Sequence, residues 1–346
     1  MFNIDSDQTR MYQEAGEASI KVQNQLIENA SLIGRLGRHF FRNDLKLVMI
    51  CGRGSSSHAG VYARYLIETR TGLPVLAVAP SVSSVFAVSQ ALENTLFLAI
   101  SQSGQSPDIL SATAAAKRGG AFVVSIINDE NSPLVALSDE VIPIRAGPEV
   151  SVAATKTFIC TMSAIAHMVA EWAQVKTLLG ALPALPDQLS QAFQTSWNDA
   201  IAPLERVPSL LTVSRGLAMG VVKEAALKFK ETCSLHAEAF SAAEVRHGPM
   251  ALVKGDYPVI IFVTGDETQT SIDAVARDFT SRSSKIFSIG NSYEGAVQLR
   301  SIGDVIPELM PMTTIQTFYR FVNELSVCRG LNPDAPQYLS KITETL

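Results

Sequence analysis

At 346 residues, 47% of them hydrophobic and 18% charged, the chain is long enough for two domains of ordinary size, each with its own core. A formal net charge of -5 supplies no general attraction for nucleic acid. No run reaches the ~18 continuous apolar residues of a membrane span, and Met1 to Arg10 lacks the basic-then-apolar order of a signal peptide, so the cytoplasm is the expected location.

Residues 9–43 read as helix, with spaced apolar positions softened by Gly34 and Gly37. Short apolar runs then alternate with helical patterns. Leu47 to Ile50, Leu73 to Ala79, Leu96 to Ile100, Ala121 to Ile127 and Glu140 to Ile144 are strand candidates. Helices are expected from Ser56 to Thr69, after the third run through Lys117, and from Ala153 to Leu179. Gly180 and the prolines at 183 and 186 then suggest a linker. In the second half, Leu210 to Val213, Val259 to Thr264, Lys285 to Ile289 and Val305 to Ile306 are the strand candidates. Helices run from Met219 to Glu231 and from Pro311 to Arg329. Continuous runs separated by helices predict an α/β chain with buried parallel sheets flanked by helices. The expected layout is a helical segment 1–43, a first domain 44–180, a linker 181–195, a second domain 196–330 and a tail 331–346.

Gly52-Arg53-Gly54 and Ser214-Arg215-Gly216 each follow a four-residue apolar run and precede a helix ending in glutamate, Glu68 and Glu231. This echo suggests an internal duplication. Two open parallel sheets would then turn their carboxyl-end loops toward a shared crevice.

Five stretches carry candidate chemistry. Ser101-Gln102-Ser103-Gly104-Gln105-Ser106 closes a strand and opens a helix, with Ser106 as N-cap and Pro107 in the first turn. Its hydroxyls and free N–H groups suit a phosphate at the helix start. Gly52 to Ser57 is a loop of the same type and offers Ser55 and Ser56 to a substrate. It lacks both the third glycine of a dinucleotide fingerprint and the Gly-Lys-Ser/Thr ending of a nucleotide P-loop. Glu224, Lys228 and Glu231 share one helical face, as either a solvated charge ladder or an acid–base cluster. His236 and His247 follow without metal-ligand spacing; His236 reads as structural, and His247, before Gly248-Pro249, as an acid or base exposed in a loop. The polar tail is either a loose end or a docked segment that lays Lys341 over the crevice. The four cysteines are widely spaced and read as free thiols.

These segments together resemble the sugar isomerase (SIS) domain family. Within it they are similar to the two-domain isomerase half of glucosamine-6-phosphate synthase and to stand-alone SIS-type glucosamine-6-phosphate deaminases. The resemblance rests on Cys51 to Gly60, Ser101 to Asp108, Val152 to Lys156, Glu224 to Pro249 and Pro336 to Lys341. It implies tandem SIS domains. It implies that Ser101, Gln102, Ser103 and Ser106 hold the phosphate of a hexose or hexosamine 6-phosphate, and that Ser55, Ser56, the Val152 backbone and Ser340 contact the sugar. Glu231 resembles the base between C1 and C2, assisted by Lys228 and Glu224. His247 resembles the ring-opening histidine, contributed across a homodimer interface, and Lys341 the tail lysine beside the open-chain carbonyl. Carboxylate, ammonium and imidazole groups can carry this proton work, so no metal or other cofactor is expected. Gln105 and Ser106 stand where the synthase has glutamate and threonine.

Position 2 is phenylalanine, and only about forty residues precede the first sheet, so no glutaminase with a terminal cysteine is expected. The preferred expectation is therefore isomerising deamination of glucosamine 6-phosphate to fructose 6-phosphate and ammonia. Aldose–ketose isomerisation of a phosphosugar, or ammonia-dependent synthesis without the glutaminase, is the alternative. A fructosamine-6-phosphate deglycase and a non-catalytic phosphosugar-binding regulator follow.

Overall fold

Ten parallel strands, arranged in two five-stranded sheets, form the framework among the residues that the computed structural model describes, 5–283 and 285–341. The strands of the first sheet are β1 (Leu47–Cys51), β2 (Val75–Ala77), β3 (Thr95–Ser101), β4 (Phe122–Ile127) and β5 (Glu140–Pro143). Those of the second are β6 (Ser209–Ser214), β7 (His236–Ser241), β8 (Val259–Phe262), β9 (Ile286–Ile289) and β10 (Val297–Leu299). The first sheet runs β2-β1-β3-β4-β5 and the second β7-β6-β8-β9-β10. Both have the doubly wound order 2-1-3-4-5, in which the chain reverses direction between the first and third strands. The repeat suggested by the paired Gly and Ser turns is therefore present in the topology.

The chain divides into two compact units that are not simple halves. One comprises, among the described residues, Ile20–Glu149, Lys156–Leu185, Ser340 and Lys341, and contains the first sheet. The other comprises the described residues from Asp5 to Ser19, Val150–Thr155 and those of Pro186–Leu339, and contains the second.

In the first unit, central β3 is buried at all seven positions, as its uninterrupted apolar run requires. Met49, Phe97, Ala99, Ile109, Ala112, Val123 and Leu134 form a core on one face of this sheet. The helix Ala18–Arg42 buries Val22, Gln25, Asn29, Ile33, Leu36 and Phe40, a spacing of three and four that marks one helical stripe. The two amides on that stripe are satisfied by backbone. Gln25 Nε2 donates to the carbonyls of Ile144 and Cys160, and Asn29 Nδ2 to that of Pro143.

In the second unit, β8 is likewise buried throughout, and Leu211, Val213, Ile261, Ile272, Val275 and Phe279 build a core beside it. The helices Met219–Cys233 and Met310–Cys328 pack together through Phe229, whose ring centroid lies 5.1 Å from that of Phe318 in an edge-on arrangement.

Several expected elements differ. The long helix after residue 153 starts at Lys156 and stops at Trp172. Gln174 then takes a left-handed conformation, and the Val175 N–H closes back on the Ala170 carbonyl. The stretch 180–195, expected as a linker, is mostly helical: Pro183 occupies the first turn of a short helix at Leu182–Ala184, and Pro186 lies at the start of the helix Leu185–Gln194. A proline in the first turn removes no helical hydrogen bond. Strand β7 was not expected, and the last strand of the second sheet lies at Val297–Leu299 and not at Val305–Ile306. Both are edge strands, where charged and polar residues are tolerated. No helix among the described residues is long and apolar enough to cross a membrane.

Candidate functional site

In the first unit, the loops after β1 and β3 leave adjacent parallel strands at their carboxyl ends, where the strand order switches. After β3, Ser101 Oγ accepts from the Gly104 N–H at 3.0 Å and Ser103 Oγ from the Gln105 N–H at 3.4 Å. Each hydroxyl that accepts in this way retains its own proton to donate to a phosphate oxygen. Gly104 is required by both conformation and space. Its φ is +62°, and a Cβ would lie 2.2 Å from Ser132 Oγ and 2.5 Å from Ile127 Cδ1.

Ser106 occupies the N-cap position of the helix Pro107–Arg118, but its side chain makes no capping hydrogen bond. The N-cap position is the expected one, and the hydroxyl is not committed to the helix. Asp108 is 1% exposed and receives both Arg53 Nε at 2.7 Å and Arg53 Nη2 at 2.6 Å. This pair ties the loop after β1 to the helix start after β3. Ser55 and Ser56 lie half-buried on the first turn of the helix Gly54–Thr71. Close backbone packing holds that turn in place: a Cβ on Gly52 would lie 3.1 Å from the Ser56 carbonyl carbon and 3.2 Å from the Ile100 oxygen. Cys51, at the end of β1, is no nucleophile, because burial, reinforced by Asp108, pushes its thiol up to about 12 against the opposing pull of Arg53.

Ser340 and Lys341 belong to this unit, and Lys341 Nζ reaches Glu149 Oε2 at 2.9 Å. Ser340 is exposed.

In the second unit, Glu224, Lys228 and Glu231 do share a helical face, but it is not a solvated ladder. The side chains of Glu224 and Lys228 are 0% and 1% exposed, and that of Glu231 is 19% exposed. Lys228 Nζ lies 3.2 Å from Glu224 Oε1 and also hydrogen-bonds Glu231 Oε2. Tyr319, on the helix Met310–Cys328, donates to Glu224 at 3.5 Å. Burial pushes the Lys228 ammonium toward neutrality, but the two carboxylates and their hydrogen bonds outweigh it and raise its pKa. Lys228 is thus a fixed cation at neutral pH. It cannot serve as a base.

Among the predicted residues, the fold gathers Ser55, Ser56, Ser101, Gln102, Ser103 and Ser106 around neighbouring strand ends in one unit. It gathers Glu224, Lys228 and Glu231 in the other. His247 is exposed on the short helix Glu244–His247, and among the described residues its ring makes no hydrogen bond to that cluster. His236 opens the edge strand β7 and is exposed, not a core histidine. Val152 lies in the second unit, where its N–H donates to the Asp334 carbonyl at 3.4 Å. Two features escaped the sequence. The Arg53–Asp108 pair could have been sought from an arginine and a carboxylate placed in the polar segments after two apolar strands, β1 and β3. Glu149 gives no comparable signal, because its partner is 192 positions away.

Residues 44–170 and 204–320 match the SIS domain, which covers more than half of the chain and coincides with the two sheets. The chain belongs to the SIS domain family. A glutamine–fructose-6-phosphate aminotransferase (isomerizing) from Pyrococcus horikoshii is 31% identical over 85% of this chain. The chain spans about half the length of the curated relatives it matches, 51% in that case. Among solved structures, a protein provisionally named a phosphosugar isomerase, from Silicibacter pomeroyi, is 38% identical with a TM-score of 0.88, over 94% of this chain and 100% of that one. The C-terminal domain of a glucosamine–fructose-6-phosphate aminotransferase from Francisella tularensis superposes with a TM-score of 0.82 at 22% identity, over 95% and 98% of the two chains; at that identity the likeness is one of fold.

Proposed function

We propose that this SIS chain is a phosphosugar isomerase of the aminotransferase type, which moves a proton between C1 and C2 of an open-chain hexose or hexosamine 6-phosphate. The observation that carries the reading is the buried row Glu224–Lys228–Glu231, in which only Glu231 keeps appreciable exposure. A desolvated cation bonded to two carboxylates is an expensive arrangement for mere structure. It is well suited to holding one carboxylate in a fixed orientation for proton transfer.

In this reading Glu231 takes the proton from one carbon and returns it to the other. Lys228, being 1% exposed, acts by orienting Glu231 more than by touching the sugar. The hydroxyls of Ser101, Ser103 and Ser106, with Gln102, grip the phosphate, while Ser55, Ser56, the Val152 backbone and Ser340 contact the sugar. Lys341 meets the open-chain carbonyl, and His247, contributed across a homodimer interface, opens the ring.

The sequence alone favoured net deamination of glucosamine 6-phosphate. Similarity to proteins named as isomerising aminotransferase and phosphosugar isomerase moves the preference to isomerisation, with deamination as the second reading. One assay separates them. The purified protein is given glucose 6-phosphate and, separately, glucosamine 6-phosphate, and both ketose and ammonia are read. Ketose from the first without ammonia from the second supports isomerisation. Stoichiometric ammonia and fructose 6-phosphate from the second replaces it with deamination, and no product from either defeats the enzyme reading.

A further inference from the structure

We propose that Glu149 is a positioning residue for Lys341, fastening the tail lysine to the first unit. The Glu149 side chain is 0% exposed. Its carboxylate is held on both oxygens by the start of the helix Lys156–Trp172: the Thr157 N–H donates to Oε1 at 3.2 Å, and Thr157 Oγ1 to Oε2 at 2.7 Å. A helix start is a favourable place for a negative charge, and two donors from one residue fix the carboxylate's direction. Onto that same Oε2 comes Lys341 Nζ at 2.9 Å.

The described residues just before Lys341 offer little apolar burial. Tyr338 is fully exposed and Leu339 is 47% exposed, so burial of those side chains contributes little to docking. The charge-assisted bond to an anion already desolvated and oriented is therefore a strong determinant of where the Lys341 ammonium sits. Lys156, itself buried, and Lys21 are further cations of this region; both act on the Cys160 thiol together with Glu149. They are fixed on helices of the unit, whereas Lys341 lies outside any helix or strand, after a turn at residues 337–338.

The catalytic consequence rests on the isomerase reading, in which Lys341 meets the sugar carbonyl. Misplacing a reacting group by about 1 Å can cost ~100-fold in rate, so removing the anchor should be felt in turnover and not in phosphate binding.

The test has one arm that needs no substrate. In the full-length, ligand-free protein, the rate of acetylation of Lys341 by acetic anhydride is followed by peptide mass spectrometry. Glu149→Gln should accelerate it roughly five-fold or more, because the ammonium loses the bond that shields it, while exposed Lys46 is unchanged. Thr157→Val, which leaves the carboxylate but removes the hydroxyl that orients Oε2, should give a smaller rise, and it serves if the Gln variant does not fold. Equal Lys341 rates in the wild type and the folded variant overturn the proposal.

In the turnover arm, Glu149→Gln should lower kcat by ~10-fold or more with KM within about two-fold, and should add nothing further in a Lys341→Ala background. Additive losses mean that Glu149 acts independently of Lys341, and they too overturn it. A wild-type protein inactive on every hexose 6-phosphate defeats the isomerase reading, and the acetylation arm still decides the role of Glu149.

Discussion

Lys228 places its ammonium nitrogen 3.2 Å from the Glu224 carboxylate while neither side chain is more than 1% exposed. The helix Met310–Cys328 packs against the helix that carries the pair and brings Tyr319 to Glu224. Removing one partner strands a desolvated charge. Lys228→Met should therefore cost about 3–5 kcal/mol in urea unfolding, and the double change Lys228→Met with Glu224→Gln should recover much of it. Because the Lys228 pKa is raised in the fold, its contribution is fully present below the unfolded value near 10.5 and is lost only as pH rises through the higher folded value. Recovered stability without recovered turnover separates the pair's packing from its use. A single variant as stable as the parent shows that the cluster is not desolvated.

The sequence showed the i, i+3 and i+4 row but not its burial, since a surface ladder has the same spacing. Likewise β1 and β3 were legible as unbroken apolar runs, with their polar loops at the strand ends. Strand β7 was not. Its His-Ala-Glu-Ala-Phe-Ser alternates small, aromatic and charged residues and pairs with β6 alone, so little apolar signal was needed. The Arg53–Asp108 and Glu149–Lys341 pairs join residues 55 and 192 positions apart, a separation that no local pattern encodes.

The serine loop should distinguish phosphate from sugar. Ser103→Ala removes a hydroxyl donor proposed to serve a charged ligand, a loss of about 1.5–3 kcal/mol or ~10–100-fold in affinity. Gly104→Ala drives a methyl toward Ser132 and Ile127 at a positive φ and should weaken binding at least as much. Calorimetry with glucosamine 6-phosphate and with glucosamine checks both variants. Equal affinity of the parent protein for the two ligands would remove the phosphate assignment.

His167 makes a pH prediction. It lies buried on the helix Lys156–Trp172, and its Nδ1 has no hydrogen-bond partner among the described residues. Burial lowers its pKa below the usual 6.5, although Glu171 pulls the other way. The unfolded chain therefore takes up a proton at a pH where the folded ring stays neutral. Stability from this residue is present above pH 6.5 and is lost as pH falls toward the folded value. Urea midpoints at about pH 7.5 and about pH 5.5 should drop less in His167→Gln than in the parent. Parallel drops in the two proteins would assign the acid sensitivity elsewhere.

The decisive chemical prediction concerns Glu231. Of the three clustered groups it alone keeps appreciable exposure, at 19%, and its carboxylate is held from behind by Lys228. Exchange of the substrate C2 hydrogen with deuterated water reports proton abstraction directly, whichever product is finally released. Glu231→Gln keeps the shape and a hydrogen-bonding side chain but cannot act as a base. It should retain phosphosugar affinity within about two-fold while losing exchange by ~100- to 10,000-fold, the usual range for a general base. His247→Ala should differ in kind: it should slow turnover of the closed ring more than that of an open-chain analogue, because ring opening precedes the step that Glu231 performs. Normal exchange in the Glu231 variant would transfer the proton step to another group. Lost exchange accompanied by lost binding would show that the carboxylate holds the sugar and does not work on it.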